Sequence, residues 1–150
     1  MARFFVRLLI STLLVPFVFA FMLMPLIGLM ATAVRGSGSI RASHPYVLFL
    51  GGIQIYFWGL WGAYCGSVAT AYSSSPDVHR SLYYLIALGF CTAPIGWMAH
   101  KESVGDPGRG RDIQRGAVLY SIPAIVGFVT QARWPRALSP LYGWVLDWIV

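Results

Sequence analysis

The chain has 150 residues, of which 57% are apolar and only 11% charged, with a net charge of +6. Ordinary globular domains carry roughly 25% charged residues, so so few charges leave a water-soluble surface poorly covered and point to a bilayer as solvent. The positive charge does not signal nucleic acid: Arg and Lys sit in short links between apolar runs, where they meet lipid headgroups, and no basic stripe interleaved with aromatics occurs.

The first apolar run, Leu8 to Val34, contains no charged residue and is bracketed by Arg3, Arg7 and Arg35. About 20 apolar residues cross a bilayer, and a signal-peptide core is only about 7–15 long. The run is therefore read as a transmembrane helix over about 8–34, although Arg3, Arg7 and the Ala31-Thr32-Ala33 triplet mimic a leader. Arg35-Gly36-Ser37-Gly38-Ser39-Ile40-Arg41 then reads as a polar link rich in loop formers. A second span is expected over 46–72, ending at the breakers Ser73-Ser74-Ser75-Pro76-Asp77. A third follows over 81–99, and His100 to Arg115 is the longest polar stretch. The fourth span, 116–132, is the shortest.

Ser139-Pro140 has the residues of a helix cap and first turn, and Leu141, Trp144, Val145 and Trp148 recur at helical spacing. At about 16 Å this C-terminal helix is too short to cross. It is expected to lie in the membrane interface, with Trp134, Trp144 and Trp148 as anchors, or to dock on a partner subunit. The expected architecture is an all-α single membrane domain of four transmembrane helices plus this interfacial helix.

The second span carries the most information. On a helical wheel, Gly52, Gly59, Gly62, Ala63, Gly66, Ala69 and Thr70 share one sector, and Phe57, Trp61, Tyr64 and Val68 lie opposite. Gly62-xxx-Gly66 and Gly59-xxx-Ala63 are small-xxx-small pairs, which let helix backbones approach closely in lipid. This face is expected to pack inside the bundle or against a second subunit, and the aromatic face to meet lipid or a looser groove. Pro16, Pro25, Pro94 and Pro123 fall inside the other three spans and favour kinks there.

Ionisable side chains inside a membrane mark transport and proton relays, and none falls within the four spans. Gln54 is the most polar residue near a span centre and suggests an interhelical hydrogen bond. His44 and His100 share one side of the membrane, which keeps a haem- or quinone-linked redox subunit open as a third reading. Cys65 and Cys91, on neighbouring spans at similar depth, are expected to be buried free thiols, with a disulfide as the alternative. Gly105 to Gly110 lacks the strand and the Gly-Lys-Ser/Thr of a phosphate loop, and no hydrolase motif occurs.

These features lead to a non-catalytic membrane subunit or accessory protein, with no catalytic residues, metal or cofactor expected. Its partners would be lipid and other membrane subunits or further copies of itself, and not nucleic acid. A small homo-oligomeric pore is the alternative. Short loops suit a bacterial inner membrane, and the dominance of the first helix favours cytoplasmic termini.

Overall fold

The computed structural model describes residues 2–15, 17–18, 45–73, 80–105 and 110–134. The expected span beyond residue 18, the link carrying His44, and the C-terminal helix with Trp144 and Trp148 lie outside the described residues. What is described is all-helical: α1 (residues 2–15 and 17–18), α2 (Pro45–Ser73), α3 (Arg80–Gly105) and α4 (Gly110–Arg133).

The helices alternate in direction. Phe4 stacks near Tyr72 while Ser11 reaches Tyr64, so α1 runs antiparallel to α2. Trp61 meets Cys91 and Thr70 meets Tyr84, so α3 also opposes α2. Cys91 meets Ala124 and Tyr84 meets Phe128, which sets α4 antiparallel to α3 and parallel to α2. The described helices thus follow up-down-up-down order, which brings sequential helices together.

Burial follows directly from side-chain periodicity. On α1, Phe4, Leu8 and Val15 are buried and Ser11 is half-buried, all on one face, while Phe5, Leu9, Leu13 and Leu14 face outward. On α3 the inner face is Tyr83, Ala87, Cys91 and Ile95, and on α4 it is Ala124, Gly127, Phe128 and Gln131. Helix α2 differs, because almost every residue from Phe57 to Ala69 is buried. An apolar helix without a polar face belongs in the centre of a bundle, and α2 takes that place, with α1, α3 and α4 around it.

The aromatic face of α2 is therefore turned into the bundle. Phe57, Trp61, Tyr64 and Val68 are buried, with Trp61 and Tyr64 filling the groove between α1 and α3. Phe4 plugs the same groove one level on, tilted against Tyr72 at 5.4 Å and edge-on to Tyr83 at 4.9 Å.

Two polar stretches are more helical than their composition suggests. α3 continues through His100-Lys101-Glu102 to Gly105, and α4 begins at Gly110, before Arg111 and Arg115. Charge limits what a bilayer core accepts but does not stop backbone hydrogen bonding. Both helices also run through their prolines, Pro94 and Pro123. Pro94 leaves the Phe90 carbonyl without its helical amide. One residue on, the Cys91 carbonyl receives the Trp61 indole N–H at 3.0 Å.

Among the described residues one helix, Arg80–Gly105, is long and apolar enough by length and composition to cross a membrane, and Ala117–Arg133 is a shorter apolar stretch. Helix α2 is longer than either at 29 residues and has no charged residue.

Candidate functional site

The small-residue face of α2 is the best-defined feature of the bundle. A Cβ on Gly62 would collide with the Ala124 carbonyl, and one on Gly66 would lie 2.7 Å from the Phe128 carbonyl oxygen. From the other side, a Cβ on Gly127 would run into the Gly59 carbonyl and lie 3.2 Å from the Ala63 nitrogen. Any side chain at these three glycines would push the backbones apart.

In each case the obstacle is a backbone carbonyl oxygen: Gly62 faces Ala124, Gly66 faces Phe128 and Gly127 faces Gly59. Parallel helices with small residues at the crossing are the arrangement in which backbone-to-backbone contact replaces side-chain interdigitation.

The structure divides the face that the sequence grouped together. Gly59, Gly62, Ala63 and Gly66 meet α4. Ala69 is wholly buried. Thr70 turns to α3, donating to the Gly66 carbonyl at 2.9 Å and lying 3.3 Å from the Tyr84 hydroxyl. Gly52, in the same sector, has nothing within 4 Å of where its Cβ would be. The seam thus belongs to the middle of α2 and not to its N-terminal turns. Its counterpart residues on α4, Ala124 and Gly127, escaped the sequence reading because they are spaced by three, outside the small-xxx-small pattern.

Polar groups concentrate towards the end of the bundle that holds the start of α1. The Tyr64 hydroxyl lies 2.8 Å from Ser11 Oγ and 3.4 Å from Arg7 Nε. Hydrogen bonding to Tyr64 is the main reason the Arg7 guanidinium holds its proton more tightly than usual, against the opposing effect of burial. Ser73 donates to the Thr70 carbonyl at 3.0 Å and lies 3.5 Å from the Tyr84 hydroxyl. Gln131 is buried beside Gly66, and its Oε1 has no hydrogen-bond partner among the described residues. Gln54, the polar residue singled out by sequence, is only half-buried.

Three further hydroxyls bond to their own helices, whereas the buried Thr12 hydroxyl has no hydrogen-bond partner among the described residues. Thr92 donates to Leu88 and Gly89 carbonyls, Ser121 to Ala117 and Ser103 to His100. His100 is exposed at the far end of α3, so its imidazole does not point into the bundle as a haem ligand must. Trp97 beside it is exposed, with the Lys101 ammonium 5.4 Å from its ring centre. Trp134 is 60% exposed just past α4. Among the described residues, no three or more His, Cys, Asp or Glu side chains gather as a metal site would need. Comparison with protein-family models, curated proteins and solved structures gives no match to this chain.

Proposed function

We propose that this chain is a membrane-embedded helical bundle of four spans that serves as a non-catalytic subunit, docking on larger membrane proteins. The observation that carries the membrane part is the apolar sheath. Phe17 is 75% exposed, Leu85 69% and Leu119 64%, and Ile10, Leu13, Val118, Ile122, Val126 and Val129 also face outward. Soluble monomers seldom expose contiguous apolar patches beyond a few hundred Å². Here such residues cover the outer faces of α1, α3 and α4, and the charged residues lie towards the helix ends. A bilayer accepts that surface, because every backbone polar group inside a helix is already satisfied.

The accessory part rests on the interior. Its centre is filled by Trp58, Trp61, Phe4 and Leu8, and the hydroxyls of Ser11, Thr70, Thr92 and Ser121 are turned to neighbouring carbonyls or to tyrosines. That counts against the homo-oligomeric pore. The small-residue seam is consumed by α4, so docking on a partner uses the outer sheath. In this reading Trp134 lies at headgroup level, where tryptophan prefers to sit.

The deciding experiment is the native mass of the particle after gentle detergent extraction, with every copurifying chain identified. Unlike chains at fixed stoichiometry are expected. A closed ring of this chain alone that conducts ions in liposomes would replace the reading with the pore.

A further inference from the structure

Alternating helix directions bring the start of α1, the end of α2, the start of α3 and the end of α4 to one end of the bundle. Three of these helices bring arginine there: Arg3 and Arg7 on α1, Arg80 opening α3 and Arg133 closing α4. None of the four helices carries Asp or Glu at this end; Asp77, in the link at 74–79, lies outside the described residues. At the opposite end the helices mix signs, with Lys101 next to Glu102 in sequence and Arg111 next to Asp112.

The four arginines differ in depth. Arg3, Arg80 and Arg133 are exposed, whereas Arg7 is half-buried. Phe4 meets Tyr83 edge-on. Arg7 is three residues inward of Phe4 and Arg80 three outward of Tyr83, so Arg7 lies roughly 9 Å deeper than Arg80. There its Nε–H donates to the Tyr64 hydroxyl at 3.4 Å, and Ser11 Oγ lies 2.8 Å from the same hydroxyl. These neutral hydroxyls orient the guanidinium and add no negative charge. Arg3 follows one helical turn outward along α1, near enough for both to reach one ligand.

We propose that Arg7 and Arg3 form a site for the phosphate of an anionic phospholipid headgroup, with Arg80 and Arg133 adding positive charge around it. The inference rests on the membrane reading and deepens it. The headgroup layer adds about 5–7 Å to each side of the hydrocarbon core. A guanidinium held a few ångströms inside the helix ends therefore meets lipid phosphate, and its planar fork suits two phosphate oxygens at once. Charge then selects the lipid. A choline headgroup carries a cation that the arginines repel, whereas a glycerol headgroup leaves the phosphate charge uncompensated.

The test reconstitutes the full chain into vesicles of mixed phosphatidylcholine and phosphatidylglycerol, releases it in mild detergent and counts the retained lipids by native mass spectrometry. Preferential retention of phosphatidylglycerol is expected, falling about five-fold in Arg7→Gln. Arg115→Gln, at the opposite end, should leave it unchanged. Arg3→Gln should also lower retention, and since Arg3 is exposed it decides the matter if Arg7→Gln does not fold. Equal retention of the two lipids, or equal losses in Arg7→Gln and Arg115→Gln, overturns the proposal. Inorganic phosphate added to the detergent sample should not displace the lipid; displacement that depends on Arg7 would assign the site to soluble phosphate compounds and overturn the lipid. A chain that inserts into the vesicles yet holds both lipids alike sinks this inference alone, whereas one that does not insert sinks the membrane reading with it.

Discussion

Replacing Gly62 with alanine adds one methyl group where the Ala124 carbonyl already stands. The obstacle is backbone on a packed helix and cannot swing aside as a side-chain tip would. Overpacking costs about 1–3 kcal/mol, and the collision at Gly62 is the most severe of the three glycines, which places it at the upper end. Alanine returns about 1 kcal/mol through its better helix propensity. The net expectation is a loss of about 2 kcal/mol. Gly66→Ala meets the Phe128 carbonyl at 2.7 Å and should lose less, about 1 kcal/mol. Gly52→Ala, on the same helix with open space around it, should be neutral or gain up to about 1 kcal/mol. Tryptophan fluorescence during unfolding in mild detergent reads all three, since Trp58 and Trp61 are buried on the seam helix. Gly62→Ala as stable as Gly52→Ala would refute the backbone seam.

Tyr64→Phe removes the partner of both Ser11 and Arg7 and should cost about 1–2 kcal/mol in the same unfolding assay, whereas an unchanged midpoint would mean those contacts contribute nothing. Phe4→Ala empties a fully buried site between Tyr72 and Tyr83 and should cost about 3–5 kcal/mol; a loss under about 1 kcal/mol would show that α1 is not packed there. Leu119→Asp puts a charge on the outer face of α4, 64% exposed. In a bilayer it should cost roughly 2.5–3.5 kcal/mol and reduce the membrane-inserted fraction, while in water it would be harmless or improve solubility.

Much of the helical layout was legible because apolar runs and breakers punctuate this chain clearly. The observed α2 at Pro45–Ser73 nearly coincides with the expected span, since Pro45 and the serines at its end are strong boundary signals. Helix α3 ends later and α4 begins earlier than the apolar runs, because Lys101 and Arg115 interrupt the apolar pattern without interrupting backbone hydrogen bonding. The wheel placed Gly59, Gly62, Ala63 and Gly66 on one face correctly in angle, but angle alone does not name the neighbour. Which helix fills that face depends on Ala124 and Gly127, some sixty positions on.

The polar residues were harder to rank. Gln54 stood out because it lies mid-span, yet Gln131 is the buried amide, beside a glycine that leaves it room. Depth along a helix is readable from sequence, whereas the inward direction of one side chain depends on its partners. The burial of Cys65 and Cys91 as free thiols was legible, because both fall inside apolar runs.

The apolar sheath can be tested with spin labels at Leu85→Cys and Leu119→Cys, one on α3 and one on α4, after reconstitution into liposomes. Bilayer contact predicts fast relaxation by oxygen, which concentrates in lipid, and little relaxation by a water-soluble nickel chelate. Strong relaxation by the chelate at both positions would put these faces in water and contradict the membrane reading.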